Sequence, residues 1–218
     1  MSIWEEAQGL EDEMVARRRN LHQHPETGWT EFRTSSMVIH ELESLGYDVS
    51  YGAQVVDADA MMGVPSKTML EEHAKRAISE GADPAIVKKE SGGKTGVVGV
   101  LDSGKPGKTV AFRFDMDCND VVEDPSQSHT PTAEGFASKH PGEMHACGHD
   151  GHTTIGLGFA KLLMQHKDEL HGKVKLIFQP AEEGVRGAAA MAAAGVVDDV
   201  DYLFGGHIGL KLFKNNQI

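Results

Sequence analysis

From residue 95 onward the chain alternates between two kinds of apolar pattern. Residues 95–101, 109–114, 174–178 and 202–204 are short β-branched or apolar runs. Between and around them lie helical stripes: Ile155, Phe159, Leu162, Leu163 and His166 form one, with Gly172 at its exit, and the alanine-rich 187–194, closed by Gly195, forms another. Strand, helix, strand, helix, strand in this order implies a three-layer α/β/α domain with a mainly parallel, mixed sheet. Ligands of such sheets bind at the carboxyl ends of the strands. Asp115, Glu182, Glu183 and His207 all fall just after a predicted strand end.

The N-terminal part reads as helical. Ile3, Ala7, Leu10, Met14 and Leu21 recur at helical spacing up to Pro25, which predicts one long helix. Thr30 is the expected cap of a second, lined by Phe32, Ile39, Leu42 and Leu45 and stopped by Gly46. Residues 47–56 read as an extended stretch or short hairpin. Residues 57–93 read as a mostly helical insertion, with Ser66 and Asp83-Pro84 as helix starts. The turn at 103–107 predicts that the strands on either side of it are neighbours. Residues 119–143 read as a long polar loop of a length that is usually functional or mobile.

Composition excludes several classes of function. A formal charge of −12 in 218 residues argues against a nucleic-acid partner, which needs clustered Lys and Arg. No apolar run is long enough for a membrane span, and no signal peptide precedes the first helix, so a cytoplasmic protein is expected. Two cysteines, Cys118 and Cys147, make no disulfide framework, and Cys147 sits among histidines. The expected partner is a small molecule. His40, His73, His166 and His171 stand alone and read as solvated.

Two short segments concentrate the chemistry: Met144-His145-Ala146-Cys147-Gly148-His149-Asp150-Gly151-His152, and Gln179-Pro180-Ala181-Glu182-Glu183-Gly184, followed by Gly206-His207. On a helix, residues two apart point about 200° from each other, so Cys147 and His149 can share an ion only within a turn, which Gly148 permits. Adjacent carboxylates such as Glu182 and Glu183 repel unless a cation or a shared proton relieves them. One can bind metal while its neighbour moves a proton. His152 reads as a residue that supports the ligands or as a structural one rather than as a third ligand, and Asp150 as a residue that orients a ligand imidazole. Asp115 and Asp117, two apart at a strand end, project to one side, either to support a metal centre or to pair with Arg113. Cys147 as a thiol nucleophile activated by His145 or His149 is an alternative, but it leaves the paired glutamates unexplained.

These motifs resemble the metallo-aminoacylase and carboxypeptidase superfamily, in its branch of hippurate and auxin-conjugate amidohydrolases. His22-Gln23-His24-Pro25-Glu26, Phe112-Arg113-Phe114-Asp115-Met116-Asp117, Val55-Val56-Asp57-Ala58-Asp59, Met62-Gly63-Val64-Pro65 and Gly135-Phe136-Ala137-Ser138 resemble more particularly its aminobenzoyl-glutamate hydrolase subgroup. The resemblance implies a zinc-exopeptidase-like catalytic domain and a two-metal site. Cys147 and His149 would bind one divalent ion, zinc or manganese, and Glu183 and His207 the other. Glu182 would be the catalytic general acid/base, with Asp117 supporting the catalytic centre. The substrate would be an N-acyl amino acid such as p-aminobenzoyl-glutamate.

Members of that branch are longer. They carry an inserted lid that forms dimers, and a returning segment that brings one more metal-binding histidine. The resemblance therefore implies that residues 1–218 are the N-terminal portion of the catalytic domain, weakly active or inactive alone, with an unpaired sheet edge prone to aggregation. A catalytically silent binding protein of the same fold is the other reading. The complete form would be a dimer, with room for a related second subunit.

Overall fold

The computed structural model describes residues 2–209. Two helices open the chain, α1 (Ile3–Gln8) and α2 (Glu11–Gln23), where the apolar spacing predicts one. Ser2 and Glu5 close a capping box on α1, and Gly9 ends it after six residues, so the chain turns and starts again while the periodicity runs on. Helix α3 (Phe32–Leu45) stops at Gly46 in the left-handed conformation, as expected. Its N-terminus is satisfied differently from expectation: the buried Glu26 carboxylate, and not Thr30, accepts the amides of Arg33 and Thr34, both at 2.8 Å.

Strand β1 (Asp48–Tyr51) follows, then two helices within 57–93, α4 (Lys67–Ser79) capped by Ser66 and α5 (Pro84–Lys89) capped by Asp83. Next come β2 (Val97–Asp102), β3 (Thr109–Asp115), the short α6 (Thr130–Ala133), α7 (His149–Gln165), β4 (Lys173–Gln179), α8 (Gly187–Ala193) and β5 (Tyr202–Gly205). No helix among the described residues is long and apolar enough to cross a membrane.

The sheet is mixed, in the order β1-β2-β4-β3-β5. β3, β4 and β5 run parallel, while β1 and β2 continue the sheet antiparallel. The turn at 103–107 therefore does not join neighbours. β4 inserts between β2 and β3, and pairs with β2 from Val97↔Phe178 to Asp102↔Lys173.

Alternation along the strands separates two cores. Val97, Leu101, Leu176 and Phe178 face α3 and α7 together with Val38, Ile39, Leu42 and Leu157. Val98, Ala111 and Ile177 face Trp29, Ala190 and Met191 on the opposite side. The period-two pleat thus produces the helix layers on both faces that the alternating pattern implies. β5 is an edge strand, and its Tyr202, Leu203 and Phe204 are exposed.

Candidate metal centre

The centre is assembled at the carboxyl ends of β3, β4 and β5. Two residues beyond β3, the wholly buried Asp117 serves both neighbouring segments. Its two carboxylate oxygens accept the amides of Glu182 and Glu183, each at 3.0 Å, which fixes the turn that follows β4. Its carbonyl oxygen accepts from His149 Nδ1 at 2.8 Å. That bond leaves Nε2 as the free face of the imidazole.

Gly148, at φ +95°, supplies the turn between Cys147 and His149. Cys147 Sγ lies 3.2 Å from His207 Nε2. Around His149 Nε2 stand Glu182 Oε2 at 3.7 Å and Glu183 Oε1 at 3.9 Å. One ligand atom each from Cys147, His149 and His207 fits within 4.8 Å, and the same holds for His149, Glu182 and Glu183. The four expected ligands and the expected acid/base therefore form two overlapping sets that share His149. His207 falls on the thiol side and Glu183 on the carboxylate side.

The residues fit a divalent cation on an observation independent of the motif. His149 Nε2 and Glu183 Oε1 are both buried, and neither has a hydrogen-bond partner among the described residues. An unmade hydrogen bond of this kind costs about 1–3 kcal/mol, so two in one place call for a ligand. Burial opposes charge on His149, but the carboxylates of Asp117 and Asp115 outweigh it and raise the imidazole to about 9. Without a cation a proton occupies the position that a cation would take. The Cys147 thiol moves up to about 12, first through burial and then through Glu183, Glu182 and Asp115. Nothing here activates it as a nucleophile, which requires a depressed pKa. A cation among the same donors would favour the thiolate.

Asp115 pairs with Arg113, as one of its two readings expects, and it also meets His152 Nδ1. His152 Nε2 accepts the amide of Ile208 at 3.0 Å, which anchors the segment carrying His207. Asp150 does not orient His149. It accepts from His22 Nδ1 at 2.8 Å and pairs with Arg18 Nε at 2.9 Å.

The residues 119–143 are pinned rather than loose. His22 Nε2 lies 3.0 Å from Glu123 Oε1, which also meets His129 Nε2 at 2.8 Å. With a carboxylate at each ring nitrogen, the pKa of His22 is raised: burial lowers it, but Asp150 and Glu123 more than compensate. At the far end of the loop His140 meets Glu80 at 2.7 Å, and Arg76 grips Glu143 through two bonds. His22 stands in the motif at 22–26, but no spacing in the sequence links it to Glu123 or Asp150. The pinned loop, α2 and the segment around Cys147 enclose a cleft of about 720 Å³ whose lining includes Phe136, Met144, Cys147 and His207.

Residues 111–217 match the model of peptidase family M20/M25/M40. The chain is 56% identical over 197 residues to the indole-3-acetyl-aspartic acid hydrolase of Enterobacter agglomerans, covering 90% of this chain and 45% of that protein. It is 52% identical over 192 residues to one subunit of the p-aminobenzoyl-glutamate hydrolase of Escherichia coli K12, covering 88% and 44%. Residues 111–217 thus carry a peptidase M20/M25/M40 domain. Among solved structures, the aminobenzoyl-glutamate utilization protein of Klebsiella pneumoniae superposes with a TM-score of 0.79 at 44% identity, over 96% of this chain and 46% of that one. A dinuclear metal binding M20 peptidase of Bacillus subtilis superposes with a TM-score of 0.70 at 30% identity, over 94% and 45%. The chain spans about half the length of the curated relatives it matches.

Proposed function

We propose that this chain carries the metal centre and the general acid/base of an amidohydrolase that cleaves N-acyl amino acids, p-aminobenzoyl-glutamate foremost, to p-aminobenzoate and glutamate. The observation that carries this reading is the pair of buried, partnerless atoms His149 Nε2 and Glu183 Oε1, with Cys147, His207 and Glu182 gathered around them. Cys147, His149, Glu183 and His207 hold two divalent ions, zinc or manganese. Thiolate and imidazole suit zinc, and carboxylate suits manganese. Support for two ions comes from the dinuclear relative.

Bound cations supply Lewis acidity toward the scissile carbonyl and make water more acidic. The chain's own residues do the rest. Glu182, one-third exposed while its backbone is locked by Asp117, reaches both the donor cluster and incoming substrate. It takes a proton from the attacking water and gives it to the leaving nitrogen as the C–N bond breaks. Asp117 keeps His149 and the Glu182/Glu183 turn in fixed relation, so little reorganisation accompanies the reaction.

The two curated relatives act, by their names, on conjugates that join an aromatic acyl group to aspartate or glutamate. An aromatic acyl group suits the cleft beside Cys147 and His207, with apolar walls at Pro131, Phe136, Met144 and Ile208. Two free cysteines accord with the cytoplasm, and the Escherichia coli relative, named as one of a hydrolase's subunits, accords with a further chain in the complete assembly. The test is metal analysis of the purified protein beside release of p-aminobenzoate. Bound zinc or manganese that is lost in Cys147→Ser, with release that depends on the metal, supports the reading. A wild-type protein that takes up no divalent ion ends it.

A further inference from the structure

The segment after β4 is backbone under strain. Ala181 sits at φ +47° and Val185 at φ +58°, left-handed values that side chains other than glycine rarely adopt. Such residues cost about 1–3 kcal/mol each, and they persist only where the surroundings over-determine them. The turn closes on itself through Glu182 O, which accepts from Val185, and through Ala181 O, which accepts from Arg186 and Gly187. Those bonds hold the turn's shape. They do not hold it against the rest of the domain.

Two buried acids do. Asp117 takes the amides of Glu182 and Glu183, as described above, and the preceding amide goes elsewhere. Ala181 N donates at 2.8 Å to Oε1 of Glu31, a residue 150 positions away in sequence and wholly buried at the start of α3. Glu31 is in turn fixed by Thr95, whose hydroxyl donates to Oε2 at 2.6 Å. Three consecutive amides that lead into the paired glutamates are thus taken by carboxyl groups from two different segments. Ala181 itself is packed without exposure in the core that contains Trp29 and Ile177.

We propose that Glu31 is a positioning residue for Glu182 and Glu183: by accepting the Ala181 amide it stabilises the left-handed entry to the turn and aims both carboxylates at His149. The role rests on the functional reading above, since it matters chemically only if those carboxylates do. Oxygen at that position is the requirement. Glutamine meets it, because its carbonyl can accept from Ala181 while its amide donates to Thr95. Methionine fills the same volume and accepts nothing.

The experiment compares Glu31→Met and Glu31→Gln in the full chain by two readouts. The first is amide hydrogen exchange in the metal-free protein, resolved at Ala181, Glu182 and Glu183. The second is zinc affinity, measured by competition with a chromophoric chelator. Glu31→Met is expected to exchange at those three amides at least about tenfold faster, with Leu176 and Phe178 unchanged, and to bind zinc about tenfold more weakly. Glu31→Gln is expected to match the wild type in both.

Wild-type exchange and affinity in Glu31→Met overturn the proposal, and so does a Glu31→Gln as impaired as the methionine variant. If Glu31→Met does not fold, Thr95→Val decides instead. With one restraint on Glu31 removed, exchange at the same amides should quicken several-fold, and an unchanged rate overturns the role. A wild-type chain that binds no zinc refutes the amidohydrolase reading, while the exchange data still judge Glu31.

Discussion

His149 Nε2 lies 3.9 Å from Glu183 Oε1, and neither atom is hydrogen-bonded, although both are shielded from water. A cation bound here would displace the proton that the raised His149 imidazole otherwise holds. Zinc or manganese at a hundred times its dissociation constant should therefore raise unfolding stability by about 2.7 kcal/mol. His149→Ala and Glu183→Ala should remove that gain. Thermal unfolding with and without metal reads it directly, and a stability indifferent to either ion contradicts the assignment.

Glu182→Gln separates proton transfer from ligand binding. The side chain keeps its shape, and the backbone amide that Asp117 accepts is untouched. Metal content should stay at the wild-type level, while turnover of p-aminobenzoyl-glutamate by the complete enzyme should fall about 10²- to 10⁴-fold. A variant that loses metal instead would make Glu182 a ligand.

Gly187 allows the turn after β4 to close. A Cβ there would lie 1.7 Å from the Pro180 carbonyl oxygen, a backbone atom that cannot step aside. Gly187→Ala should unfold at lower denaturant concentration and lose divalent-ion binding along with it, because the displaced segment carries Glu183. Urea titration and metal analysis on the same preparation check both effects.

Removing His22 should free the long loop. The imidazole stands between two carboxylates, and taking one partner from a buried pair costs about 3–5 kcal/mol. His22→Ala is expected near the lower end, because Arg18 remains on Asp150 and His129 on Glu123. Limited proteolysis should then cut within 119–143 at a dose of protease that leaves the wild type intact.

The metal-free chain should lose stability as pH rises from 6.5 toward 8. Burial, joined by the Asp117 charge, raises Glu31 from 4.5 to about 8, and burial also raises Glu26 and Glu90. In this window folded Glu31 keeps a proton that the unfolded state has released, so unfolding is favoured as pH increases, and the upward shifts of Glu26 and Glu90 have the same sign. His22 and His140, raised above 6.5, act in the same direction. His145, lowered to about 4, is neutral when folded but half protonated at pH 6.5 when unfolded, so it opposes this slope at the lower edge of the window. Urea midpoints in the presence of chelator should fall across this range, with a shallower slope in Glu31→Gln.

Much of this architecture is legible along the chain. The switch between period-two runs and helical stripes places β4, α8 and β5 within a residue or two of where they lie, because each buries an apolar face whose spacing is written locally, whereas α7 ends at Gln165, well before the expected exit at Gly172. The donors at the strand ends are legible for the same reason. Strand order is not: the turn at 103–107 suggests a hairpin, and only the crossover through α7 reveals that β4 fills the gap. The break after Gln8 is hidden because apolar spacing continues through it.

Least legible are the buried acids. Glu26, Glu31 and Glu90 belong to a residue type that normally faces water, and nothing beside them in sequence says otherwise. The His22 contacts span 128 and 101 positions, beyond the reach of any local pattern.

The strand order has a consequence for how such a centre can vary. β3 lies between β4 and β5, so the Asp117 carboxylate, the glutamate pair and His207 hang from three adjacent rows of one lattice. Neighbouring rows are about 4.8 Å apart whatever side chains they carry. The gauge of the centre is therefore set by peptide geometry, and loops and outer surfaces can drift through many substitutions while the donors keep their spacing.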